Sequence, residues 1–161
     1  MSDVIYQHMT AELEGPFVVF LLGMRINRPW RVDQWLPVAR AMPRMLRELE
    51  AQPELGCLAT SGGFPTLIQY WRSFEHLEAY AQSRAHAHLP AWAEFNRRIR
   101  RGGGAVGIWH ETFLVAAGAH ESIYYAMPPS GLGRAGRLVP VAHRGMGARE
   151  RLGAAARAGV Q

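Results

Sequence analysis

The sequence predicts an α+β fold whose strands and helices follow in the order βαββαβ. Three observations predict it: a ten-residue apolar strand at Phe17–Ile26, a hairpin signal around "SGGFPT", and two stretches of helical apolar periodicity flanking that hairpin. With 161 residues, 48% of them hydrophobic, the chain has the makings of a real core.

"GPFVVFLLGMRIN" is rich in β-branched and aromatic residues and ends at the turn-forming "NRPW". One face of this strand carries Val18, Phe20, Leu22, Met24 and Ile26; the other carries Phe17, Val19, Leu21 and Gly23 and ends on the charge of Arg25. Asp33 is expected to cap a helix reaching to about Gln52, with Trp35, Val38, Met42, Met45, Leu46 and Leu49 near helical spacing. Pro37 falls in its first turn, where the missing amide costs nothing. Pro43 lies inside, where it is expected to kink or divide the helix and leave room for a ligand beside Met42 and Met45.

"ELGCLATSGGFPTLIQYWRS" reads as an antiparallel hairpin over roughly residues 55–61 and 65–72. Ser73 is the expected cap of the next helix, with Glu75 and Glu78 favourable in its opening turns. Another helix starts near Leu89, tolerates Pro90 in its first turn and stops at "RRIRRGGG". "AVGIWHETFLVAAG" is the last strong strand, and "ESIYYAM" reads as a short further one. The arrangement is ferredoxin-like: helices cover one face of the sheet. The other face is also apolar in the first strand, so a homodimer with the two sheets face to face is expected.

Residues 1–126 are read as this domain and residues 127–161 as an extended basic arm rich in Gly, Pro and Arg, ending in a short helix, "ARERLGAAARA". The net charge of +5 is concentrated there: Arg134, Arg137, Arg144, Arg149, Arg151 and Arg157 are opposed only by Glu150. The arm lacks interleaved aromatic residues, and no nucleic-acid partner is expected. "FVVFLLGM" is too short to span a bilayer, so no membrane partner is expected either. The single Cys57 and the lack of a signal-peptide pattern point to the cytoplasm.

The segments "GMRINRPW", "WLPVARAMPRML", "QYWRSFEHLEAYA", "HLPAW", "GIWHETF" and "MPPSGLGRAG" carry a resemblance. Over about Phe17 to Arg137 the chain resembles the dimeric α+β barrel superfamily, and within it the fumagillin-pathway-type, or af470-like, monooxygenases. That resemblance implies a barrel dimer, one pocket per subunit between sheet and helices, and oxidative chemistry on a small hydrophobic molecule. In haem-degrading members of the superfamily a histidine late in the second helix ligates iron. Aligned on Trp71, that histidine falls at Pro90 and the aromatic before it at Tyr80. His88 is then two positions short, roughly 200° round a regular helix, and only a break before Pro90 would bring it into line.

The candidate catalytic residues are His88, His110, Arg25 and Asn27. His88 or His110 would act as a base, and Arg25 or Asn27 would steady a developing oxyanion. If haem is the cofactor, His88 or His110 becomes the axial ligand and Arg25 the propionate partner. Otherwise no cofactor is expected, and no metal beyond haem iron. His110 alternates with Trp109 and Glu111, so only one side of that strand can face the pocket. His86, two residues from His88, does not share its helix face, and His76 is read on a solvated face. Trp30, Trp35, Met42, Met45, Gln69, Trp71, Tyr80 and Trp109 are the expected substrate-pocket residues. No phosphate loop, His-Glu-x-x-His, Cys-x-x-Cys or nucleophile elbow is present. The leading reading is a small-molecule monooxygenase; the alternatives are a haem-binding oxygenase or dehydratase and a non-catalytic small-ligand-binding protein.

Overall fold

The computed structural model describes residues 3–158, apart from the side chains at 98, 99, 102 and 154–158. The elements are β1 (Met9–Glu12), β2 (Phe17–Ile26), α1 (Val32–Ala51), β3 (Cys57–Gly63), β4 (Thr66–Trp71), α2 (Phe74–Gln82), α3 (His88–Gly102), β5 (Val106–Val115), α4 (Leu132–Ala135), β6 (Arg137–Pro140) and α5 (Ala148–Ala158). The main sheet has the order β3-β4-β2-β5, with every neighbouring pair antiparallel. From β2 to β5 this is the ferredoxin-like α+β arrangement, with α2 and α3 together standing for the second helix. No helix among the described residues is long and apolar enough to cross a membrane.

Alternation along β2 assigns the two sheet faces. Val18 joins Leu49 of α1, Trp71 of β4, and Leu77 and Tyr80 of α2 in a core where Trp71 is wholly buried. The even-numbered residues of β2 therefore face the helices. Phe17, on the other face, packs with Ala11 of β1 and Leu132 of α4, with Val19, Tyr70 and Tyr124 around them. The second face is thus covered at one end by the chain itself, a cover not expected from the strand pattern. Farther along that face Trp109 and Phe113 stand 40% and 49% exposed.

Several local expectations are corrected. Asp33 lies inside α1 and binds Arg31 and Gln34, so no side chain caps that helix. With Arg31 and Gln34 both donating to it, the Asp33 carboxyl is lowered to about 2. Helix α1 runs through Pro43 undivided, because its packed face supplies more than one absent hydrogen bond removes. Ser73 does cap α2, accepting from the His76 amide, but its hydroxyl also holds His76 Nδ1 at 2.9 Å, and the imidazole packs over Gly56 instead of facing solvent. "ESIYYAM" contributes only two isolated bridges, Ile5 to Met127 and Met9 to Tyr124.

The C-terminal segment, expected as an extended arm, folds back. β6 pairs antiparallel with β1 from Met9–Pro140 to Glu12–Arg137, and α5 forms where a terminal helix was expected. Several of its arginines find internal partners. Arg137 and Arg144 both donate to Glu12, while Arg151, 5% exposed, donates to Glu121 and to the carbonyls of Gly145 and Met146. Buried guanidinium requires such satisfaction of its several donors.

Candidate active site

Between the helices and the helix-facing side of the sheet lies a cavity of about 350 Å³, within the range of small-molecule sites. Phe20 and Leu22 of β2 and Ile108, His110 and Thr112 of β5 form the sheet wall; Val38, Met42 and Met45 of α1 stand opposite. Leu77 and Tyr80 of α2 and Trp92 and Phe95 of α3 close the helical side, with Gln69 and Trp71 as the floor. Ile108 and Trp92 are both exposed, which opens the cavity between β5 and α3.

The pairing of β2 with β5 decides the question that alternation left open. His110 lies opposite Leu22, and Trp109 opposite Gly23. Leu22 lines the cavity, so the His110 imidazole is on the cavity side, 5.4 Å from the Phe20 ring. The Trp109 indole lies over Gly23 on the other face, so Trp109 borders the cavity without offering its ring.

His88 begins α3, directly after the break at residues 83–87 that separates it from α2. His88 and Pro90 share α3, so the two-residue offset from Pro90 remains, and His88 reaches the cavity from the first position of the helix. Its Nδ1 is 3.0 Å from the Ala81 carbonyl oxygen. A carbonyl only accepts, so Nδ1 carries a proton, and in the neutral imidazole the lone pair is on Nε2. On the floor, the Trp71 indole N–H donates to Gln69 Oε1 at 3.1 Å, with both residues buried. That bond fixes the amide's orientation and leaves Gln69 Nε2, which has no protein acceptor among the described residues, as a donor beside the cavity. A mostly apolar cavity lined by the imidazoles of His88 and His110 and by the fixed Gln69 N–H donor can bind a hydrophobic molecule, take a proton from it and meet the negative charge that results.

The other expected site residues lie elsewhere. Arg25 and Asn27 are exposed beyond the cavity, and Asn27 donates to the Gly104 carbonyl at 3.0 Å. Trp30 is 75% exposed, and the Trp35 indole is spent on the Pro29 carbonyl; neither lines the cavity. Haem would need an axial nitrogen and partners for its propionates. His88 supplies the first, but Arg25 lies outside the cavity and no arginine among the described residues lines it, so the expected residues do not fit one haem.

Glu48 of α1 was not anticipated. Its carboxylate accepts from the Tyr80 hydroxyl and the Ala87 amide, each at 2.9 Å, and from His86 Nδ1 at 3.3 Å. Burial pushes the Glu48 carboxyl up, but the Ala87, Tyr80 and His86 bonds together outweigh this and hold it below its ordinary value. The same contact acts in reverse on Tyr80, whose phenol is raised by burial and then by Glu48.

Fold and cavity define a ferredoxin-like protein with a mostly apolar chamber between sheet and helices. The model of the monooxygenase af470-like family matches residues 17–132, and the chain belongs to that family. It is similar to Monooxygenase af470 of Aspergillus fumigatus, 30% identical over 158 residues covering 83% of this chain. The chain spans 56% of the length of that relative.

Proposed function

We propose that the protein is a monooxygenase for a hydrophobic small molecule bearing an acidic phenol or enolisable carbonyl at one end. The observation that carries this reading is the His88–Ala81 bond, which places the lone pair of the neutral ring on Nε2 of a histidine that lines the apolar cavity. His88 takes the proton from the substrate, and Gln69 Nε2–H steadies the oxyanion of the enolate or phenolate. The carbanion form reduces O₂ and forms a C–O bond. Loss of water from the resulting hydroperoxide converts CH₂ plus O₂ into C=O plus H₂O, so atoms and electrons balance. His110, at the open edge, contacts the far side of the ligand.

The reading extends to the assembly and its surroundings. The exposed Trp109 and Phe113 support a homodimer through the open sheet face. The internal pairing of Arg137, Arg144 and Arg151 supports the absence of a nucleic-acid partner. A cytoplasmic location accords with the lone Cys57 thiol, pushed up by burial and thus unreactive.

Oxygen uptake with a panel of hydrophobic phenols and β-dicarbonyls tests the proposal. Wild type is expected to consume oxygen with at least one of them, and H88A to lose about 10²–10⁴-fold in kcat. Full activity in H88A would overturn the role of His88, and no uptake with any of the panel would overturn the substrate class.

A further inference from the structure

We infer that Glu48 is a positioning residue for His88: one carboxylate on α1 ties down both the backbone that leads into His88 and the ring on which His88 rests. The inference rests on the reading of His88 as the base.

Three features carry it. Glu48 Oε2 receives the amide of Ala87, the residue immediately before His88. The same oxygen receives the hydroxyl of Tyr80, whose ring neighbours both imidazoles, 5.6 Å from His86 and 5.9 Å from His88. Tyr80 is also adjacent to Ala81, whose carbonyl fixes the His88 tautomer. His86 Nδ1 completes the set on Oε1. Glu48 thus joins α1 to α2 through Tyr80 and to the end of the break through His86 and Ala87, the residues next to Ala81 and His88 among them. The residues of the break itself make no other side-chain bond to α1 among the described contacts. Without the carboxylate, the Ala87 amide and the Tyr80 hydroxyl lose their acceptor together, and the carbonyl and imidazole that must meet at 3.0 Å are free to separate.

The chemistry of the set also predicts which substitution preserves it. Both Oε2 contacts are donations to oxygen, which a glutamine carbonyl also accepts, though more weakly than a carboxylate. Its amide N–H₂ then faces His86 Nδ1, and a neutral imidazole answers by changing tautomer. E48Q should keep the architecture, while E48A and E48M should lose it, the latter filling similar space without an acceptor.

The test is the ¹⁵N chemical shifts and pH titration of the His88 ring in the full chain, assigned by comparison with H88A. Wild type and E48Q should show the Nδ1–H tautomer. E48M and E48A should show mixed tautomers, a displaced titration midpoint and at least a tenfold lower kcat with a smaller change in KM. If E48A does not fold, E48M decides. An unmoved His88 tautomer and titration in E48M would overturn the inference, as would an E48Q that behaves like E48A. A full-activity H88A would instead overturn the base assignment, and the ring titration would still report whether Glu48 positions His88.

Discussion

Trp109 rests on Gly23. The two residues are paired across β5 and β2, and a Cβ at position 23 would lie 2.6 Å from the indole Nε1. Only the absence of a side chain lets the indole lie down on the sheet.

Gly23→Val is therefore expected to lift the indole, shift tryptophan emission and cost about 1–3 kcal/mol, in the manner of an overpacked site. Urea unfolding followed by fluorescence measures both quantities. An unchanged midpoint and emission maximum would mean that Trp109 sits elsewhere.

On the same face, Phe113 lies opposite Val19. If two sheets meet there, Phe113→Asp introduces a charge into an apolar contact with no partner for it. Wild type should sediment as a dimer at micromolar concentration and the variant as a monomer with unchanged circular dichroism. A monomeric wild type would end the proposal of a sheet-to-sheet homodimer.

Glu12 makes stability depend on pH. Burial pushes its carboxyl up, but the bonds and charges of Arg144 and Arg137 outweigh burial and hold it below the ordinary 4.5. Because the folded value is depressed relative to the unfolded one, its contribution is present in full above 4.5 and is lost as pH falls through the lower folded value. Glu12→Gln should destabilise by about 1–3 kcal/mol at neutral pH. Its stability should then fall less steeply than that of wild type on acidification below about pH 5. Parallel stability curves across that window would refute the assignment.

The strands legible in the sequence are those with a strong pattern of their own. Phe17–Ile26 and the strand through His110 announce themselves by length and β-branched or aromatic content. Met9–Glu12 and Arg137–Pro140 do not: each is four residues long and becomes a strand only by pairing with the other. For the site, His88 and His110 stand out as residue types, and Gln69 and Trp71 sit on a readable strand. Which side His110 faces depends on register, a property of two strands at once. Glu48 is hidden for a similar reason. It looks like any charge on an amphipathic helix, and its partners lie 32 to 39 residues away. Conversely, Arg25 looks significant as a charge ending an apolar strand, but that position is simply where β2 emerges into solvent.

The pairing of β1 with β6 bears on how the chain is born. A ribosome releases Met9–Glu12 long before Arg137–Pro140 exists, so the hydrogen-bonding edge of β1 stays unanswered through most of synthesis. Glu12 waits equally long for Arg137 and Arg144, and the Phe17 cluster for Leu132. The sheet and its helices can assemble first from nearer contacts, with the ribbon closing last as a non-local step. A chain released without residues 137–161 would then carry β1 with an unanswered edge beside the sheet, where a chaperone or a second chain would find its first hold.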